Sequence, residues 1–245
     1  MPSVMEQPTR SLSPEKILDV WETGRQQHEL DRALTLLSAA YPGVSRDELA
    51  DLTIGERDGR LLRVRELILG TGAAAISECP QCEERVEFPL DTSTLLQAEE
   101  IAETSHEVTV DGTHVRFRLP TSRDLAEAVA VPDQPLGVRR LIERCVIEPH
   151  VVDELSDEIA EALSQAVLKA DPRAEIIISL GCPNCGRKWE LLFDIAHFFW
   201  PEIAAQAQRL VCEIDVLARA YGWTEREILS LPARRRRTYL EMLAA

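Results

Sequence analysis

Cys79-Pro80-Gln81-Cys82 and Cys182-Pro183-Asn184-Cys185 are two Cys-Pro-X-Cys turns, and they hold four of the chain's six cysteines. A tight knuckle of this kind aims two thiolates at one point while its amides hydrogen-bond to sulfur, and two knuckles supply the tetrahedron that zinc prefers. With four thiolates no coordination position stays open, so the expected role of zinc at Cys79, Cys82, Cys182 and Cys185 is structural, not catalytic. Ordinary zinc ribbons space their pairs far more closely, whereas 99 residues lie between Cys82 and Cys182. Closing such a loop costs about 4 kcal/mol plus a constant, against roughly 10 to 16 kcal/mol for a structural zinc site. Metal binding can therefore tolerate the long insert.

Two other readings stay open at these turns. A redox pair needs the motif at a helix N-terminus after a strand, yet both turns run on into strand-like sequence at 85–90 and 188–193. Buried thiols without metal are the third reading. Gly186 follows the second turn but Glu83 follows the first, where a residue tolerant of positive φ is preferred. Glu83 and Glu84 also add negative charge beside thiolates, offset in part by Arg85, Arg187 and Lys188. The first half-site is expected to hold metal less well.

The other candidate groups are sparse. Cys145 and Cys212 lie on expected helices among apolar neighbours and read as small buried residues. His150 follows Cys145 by five residues without an acidic partner to complete a nucleophilic triad, and the remaining histidines are scattered. No phosphate-binding Gly loop, paired-His metalloprotease motif or nucleophile elbow occurs. The chain is therefore expected to be non-enzymatic. Arg234, Arg235, Arg236 and Arg237 form a cationic run near the end, and Tyr221, Trp223 and Tyr239 gather aromatics beside it. That composition suits a protein-docking hot spot.

The elements that position these residues follow from periodicity. Ser13 and Pro14 open a helix that ends at Gly24; apolar residues at intervals of three and four mark 30–41; a Ser45/Glu48 capping box starts a third helix; 57–69 is a fourth. Short extended segments at 74–78 and 85–90 flank the first cysteine turn. Alternation at 107–110 and 113–119 across Asp111-Gly112 is a strong hairpin signal. Helices are expected at 122–130, 136–146 and 156–168, a strand at 175–180, and a long amphipathic helix at 201–221. A Thr224/Glu227 cap and then Pro232 start the last two helices. The two cysteine turns repeat with an offset of 103 residues, which also pairs Val86 with Trp189, Leu90 with Phe193 and Asp91 with Asp194.

The expected fold class is thus α+β: mostly helical, with a small split zinc-ribbon β element and an inserted β-hairpin plus helices. The expected divisions are an N-terminal helical region at 1–72, a split ribbon at 73–92 and 174–194, an insertion at 93–173, and a C-terminal helical region at 195–245. Residues 1–10 read as a loose tail.

Composition bounds the function. Among 245 residues, 27 Lys and Arg against 42 Asp and Glu leave a formal charge of −15, which repels phosphate and argues against nucleic acid as a partner. Aromatic residues make up only 5%, too few for a base-stacking platform. The most apolar stretch, 191–205, is broken by Asp194, His197, Pro201 and Glu202, so membrane insertion is not expected. With no charged and apolar leader at 1–10, the cysteines are read as belonging to a reducing, cytoplasmic setting.

Several segments carry a family resemblance. They are Leu69-Gly70 leading into the first cysteine turn; Arg116-Phe117-Arg118-Leu119-Pro120-Thr121-Ser122-Arg123-Asp124-Leu125; Asp171-Pro172-Arg173-Ala174-Glu175 before the second turn; and 217–229 with 236–240. Over about residues 55–243 the chain resembles the baseplate hub assembly family of T-even-type contractile phage tails and the related proteins of contractile injection systems. The resemblance implies a non-enzymatic protein that helps build a baseplate or hub, either as a chaperone that leaves or as a minor component that stays. Its partners would be baseplate or hub subunits, not a small-molecule substrate, and assembly would occur in the cytoplasm, with retention in the particle as the other outcome. The docking residues would be Tyr221, Trp223, Arg234, Arg235, Arg236, Arg237 and Tyr239. A zinc-ribbon nucleic-acid or transcription accessory protein is the competing class; it requires a basic face near the knuckles, where only Arg85, Arg187 and Lys188 stand.

Overall fold

The computed structural model describes residues 12–96, 105–110, 112–148 and 156–244. Four helices come first: α1 (Pro14–Gly24), α2 (Glu29–Ala40), α3 (Arg46–Ala50) and α4 (Ile54–Leu69). Ser13, Ser45 and Thr53 each accept a backbone N–H at a helix start, and the last two form capping boxes with Glu48 and Glu56. The helix α4 begins three residues earlier than its apolar periodicity indicates, because the Thr53/Glu56 box nucleates it ahead of Leu61 and Leu62.

A hairpin of β1 (Gly72–Glu78) and β2 (Arg85–Asp91) follows, then the short α5 (Thr92–Leu95). Next come β3 (His106–Val110) and β4 (Thr113–Phe117), with Val110 opposite Thr113 and Gly112 at φ +78° in the tight connection. Asp111 of that turn lies outside the described residues, as do His150 and the 1–10 tail. The chain continues through α6 (Ser122–Val129), α7 (Gln134–Cys145), β5 (Val146–Glu148), which pairs with β4, and α8 (Asp157–Ala170). A second hairpin, β6 (Ile176–Gly181) with β7 (Lys188–Phe193), precedes α9 (Ile195–Tyr221), α10 (Glu225–Ser230) and α11 (Ala233–Ala244). The fold is α+β, with helices dominating and all sheets small and antiparallel.

Two apolar clusters hold the described residues together. The larger unites α1 to α4 with the first half of α9, through Ile17, Leu36, Leu37, Leu61, Leu62, Phe199 and Ile203, and takes Leu90 and Phe193 from the two hairpins. The smaller packs Val115, Phe117 and Leu119 against Ile142, Leu163 and Val167. Two segments of the family resemblance, 116–125 and 171–175, lie at the joints between them. Pro120 accepts the Ile54 N–H, and Arg123 bridges Asp47 of α3 and Asp51 just past its end. Buried Asp124 accepts from the Arg118 and Arg144 guanidiniums and from Thr121. At the second joint the chain returns from α8: buried Asp171 accepts the N–H of Gly55, and Arg173 passes over Gly59. A Cβ at Gly55 would land on the Asp171 carboxylate. Neither glycine is a defect in α4; both make room for the chain returning between α8 and β6.

Candidate metal centre

Each cysteine turn closes the end of one hairpin, and the two are built alike. In the first, Glu78 pairs with Arg85, the Cys79 N–H donates to Glu84 at 2.9 Å and the Glu83 N–H donates to Cys79 at 3.0 Å. In the second, Gly181 pairs with Lys188, the Cys182 N–H donates to Arg187 at 2.8 Å and the Gly186 N–H donates to Cys182 at 3.0 Å. The residue after each second cysteine is left-handed: Glu83 at φ +59° and Gly186 at φ +72°. Gly186 enters that region freely, whereas Glu83 does so at a cost of about 1–2 kcal/mol.

The 103-residue repeat extends beyond the knuckles. Both second strands end on an aspartate that caps a helix: Asp91 accepts from Ser93, and Asp194 accepts from Ala196 and His197. Asp91 and Asp194 share nearly the same backbone, φ −99° with ψ 105° against φ −104° with ψ 112°. The unit that repeats is therefore strand, knuckle, strand and helix cap.

The hairpins bring all four sulfurs together, every ligand atom within 4.8 Å of the others. Cys79 Sγ lies 3.6 Å from Cys185 Sγ, and Cys82 Sγ lies 3.6 Å from Cys182 Sγ. Each close pair thus joins the first cysteine of one turn to the second of the other, the pattern of a local two-fold arrangement. A tetrahedron with Zn–S bonds of about 2.3 Å has S···S edges of about 3.8 Å. The two close pairs approach that figure, and Asn184 Nδ2 donates to Cys82 Sγ at 3.7 Å, as an outer partner of a ligating sulfur would. The cluster is compatible with a four-thiolate metal site.

Packed together as thiols, Cys79 and Cys185 shift in opposite directions. Burial pushes Cys79 up, but the amides of Gln81 and Cys82 and the thiols of Cys185 and Cys82 outweigh it and draw it down to about 7. For Cys185 the Arg187 amide pulls down, yet burial and the three neighbouring thiols push it up to about 12. A bound dication would favour the thiolate at every position and release the remaining protons.

The other cysteines divide. Cys145 is buried, and burial pushes its thiol up to about 12, which leaves it inert. Cys212 is exposed, contrary to the expectation of a buried residue. It sits two residues from buried Leu210, hence on the opposite side of α9.

At the C-terminal end Tyr221 stacks on Trp223 at 4.7 Å, and Tyr239 meets both edge-on at 5.5 and 5.0 Å. Of the four arginines, Arg234, Arg235 and Arg237 are exposed. Arg236 is not a surface group: it is buried, donates to Glu213 at 2.8 Å and to the Leu231 carbonyl at 2.8 Å. Helical spacing turns one of four consecutive residues toward α9, and Glu213 compensates its charge.

Buried charges at the joints were not singled out by residue type or spacing. Arg65 is enclosed between Glu202 and the Gly70 and Gly72 carbonyls, tying the end of α4 to α9. Asp58 is buried against Arg57, and burial pushes it up to about 6 over the opposing pull of Arg57, with Asp194 and Asp171 adding to the rise. A visible signal was the Gly55 and Gly59 pair, four apart on one face of a helix.

The described residues thus form a mostly helical chain that closes two distant hairpins on one four-thiol cluster. The comparison of sequences names the group. Residues 11–200, more than half of the chain, match the family described as T4 bacteriophage base plate protein, and the chain belongs to that family. Neither a curated protein nor a solved structure matches. The matched segment takes in both cysteine turns and both joints and ends at Trp200, so α9 beyond its first turns, α10 and α11 lie past it. No helix of the described residues is long and apolar enough to cross a membrane.

Proposed function

We propose that this baseplate protein is a non-enzymatic assembly factor whose four-cysteine cluster binds one structural zinc ion, and whose C-terminal helices dock other baseplate or hub subunits. The observation that carries the proposal is the meeting of two cysteine pairs from hairpins a hundred residues apart, with all four sulfurs within 4.8 Å of one another. Zinc fits better than a redox role because each knuckle lies between two strands instead of opening a helix. Cys79, Cys82, Cys182 and Cys185 would hold the ion, which supplies cross-linking without chemistry. In this reading 73–92 and 174–194 are two halves of one ribbon and 93–173 is an insertion between them. The ribbon fixes the pose of the helical region before it against the one after it. Tyr221, Trp223, Tyr239 and the exposed Arg234, Arg235 and Arg237 form the docking end, while Arg236 holds that end together from within.

The test is affinity purification of the tagged full chain during particle assembly, with zinc quantified in the same sample. One zinc per chain with baseplate subunits in the eluate is expected. A chain truncated after Leu217 should keep its zinc and lose those subunits; unchanged co-purification would overturn the docking role. Absence of zinc from the native protein would overturn the metal role.

A further inference from the structure

A shallow groove of about 620 Å³ runs between α9 and α11, lined by Ala205, Cys212 and Val216 on one side and Leu240 on the other, with Arg209 and Glu213 at its margins. Helical geometry accounts for it. Ile203, Ala207, Leu210 and Leu217 turn inward on α9 and are buried, so the apolar residues between them come out on a second face. Val216 and Leu243 are both more than two-fifths exposed, and Leu243 stands one turn past Leu240, which carries the apolar surface along α11 beyond the groove. Such a continuous patch marks an interaction site more often than a free surface.

The charge around the groove selects what can cover it. Exposed Glu241 shares the outer flank of α11 with two cations: Arg237 stands one turn before Leu240, and Arg234 one turn before Arg237. Both are exposed and make no ion pair among the described residues, while Glu213 is taken up by Arg236. Arg209 adds a third cation on the α9 side. A second copy applied through the same face would set these guanidiniums against one another, since a two-fold contact is self-complementary. A helix with one apolar side and carboxylates on its flanks satisfies both demands: it seats on Cys212, Val216 and Leu240, and its acidic groups reach Arg234, Arg237 and Arg209. The groove also begins just past residue 200, where the family match ends, so it belongs to the part of the chain beyond the shared baseplate body.

We infer that the α9–α11 groove is a docking site for an acidic amphipathic helix of another protein. The inference rests on the reading of the C-terminal helices as the docking end, and adds to it the seat and the chemistry of the partner.

The experiment places a benzophenone-bearing phenylalanine at position 212 of the full chain, cross-links during particle assembly and sequences the captured peptides. Val216→Asp and the double variant R234E/R237E are carried in parallel. Captured peptides should come from a segment with apolar residues at three- and four-residue spacing and at least three carboxylates. Each variant should lower the captured yield at least tenfold, with thermal unfolding and zinc content unchanged for R234E/R237E. Capture of a second copy, of a basic or non-helical segment, or of nothing, overturns the inference, as does a yield that R234E/R237E leaves unchanged. Where capture at 212 fails but truncation after Leu217 still removes the co-purifying subunits, the groove proposal falls and the docking end stands.

Discussion

At Glu83 the first knuckle uses a non-glycine residue at φ +59°, where the second uses Gly186. Relieving this should be visible as stability. Glu83→Gly is expected to raise the unfolding free energy of the metal-loaded protein by about 1 kcal/mol, after the greater freedom of glycine in the unfolded chain is subtracted. Urea unfolding of both proteins at saturating zinc checks it, and an equal or lower midpoint would contradict the strain argument. Asp58 gives a pH signature. Its folded carboxyl titrates at about 6 and is raised by burial, so the folded state holds the proton more tightly than the unfolded chain. The associated stability is fully present below about pH 4 and is lost as the pH rises through 6, a difference of about 3 kcal/mol. Asp58→Asn should flatten that decline between pH 5 and 7, measured by urea midpoints across the range; an unchanged slope would refute it. Asp124 acts with the opposite sign. Burial pushes it up, but Arg118, the Thr121 N–H and Arg144 hold it well below the usual carboxylate range, so its contribution is present at neutral pH and lost on acidification.

The two hairpins are the elements most dependent on the cluster. Each is a two-stranded sheet, and an isolated pair of this kind is marginal in water. Leu90 and Phe193 anchor them to the larger core, but Ile76, Ile177 and Leu192 stand exposed. On the zinc reading, removing the metal with a chelator should therefore loosen β1, β2, β6 and β7 and leave α1, α2 and α4 protected. Amide hydrogen exchange followed by mass spectrometry reads this directly: exchange in the four strands should accelerate at least tenfold, and uniform acceleration across the chain would show that the cluster is coupled to the whole core. The elements themselves were largely legible. Capping boxes at Ser45 and Thr224 and the apolar spacing of α1, α2 and α9 appear in the structure as the periodicity indicates. The start of α4 was not, because two glycines hide the helical pattern until the structure shows what they admit. The short α5 and β5 also lack a pattern of their own, since each is fixed by its neighbours: Thr92 by Glu66 and Thr71, and β5 by pairing with β4.

On the scale of the molecule, a long excursion leaves at one hairpin and returns at the next, and buried polar joints decide how it sits on the helical body. The Gly55–Asp171 contact leaves no room for a side chain at position 55. Gly55→Ala would force the Asp171 carboxylate off the α4 N-terminus, and is expected to cost about 2–4 kcal/mol by combining overpacking with a lost buried hydrogen bond. Thermal unfolding checks it, with Gly72→Ala, which meets open space, as the control expected to change little. The amino-acid sequence by itself determined the four-thiol set, the repeated unit around it, the α+β class and the family, because these depend on local spacing and residue chemistry. Only the tertiary structure decided that Arg236 points inward, that Cys212 points outward, and that Asp58 and Asp171 share a buried charge network. Those outcomes depend on which face of a helix meets which neighbour, and no spacing within one segment contains that information.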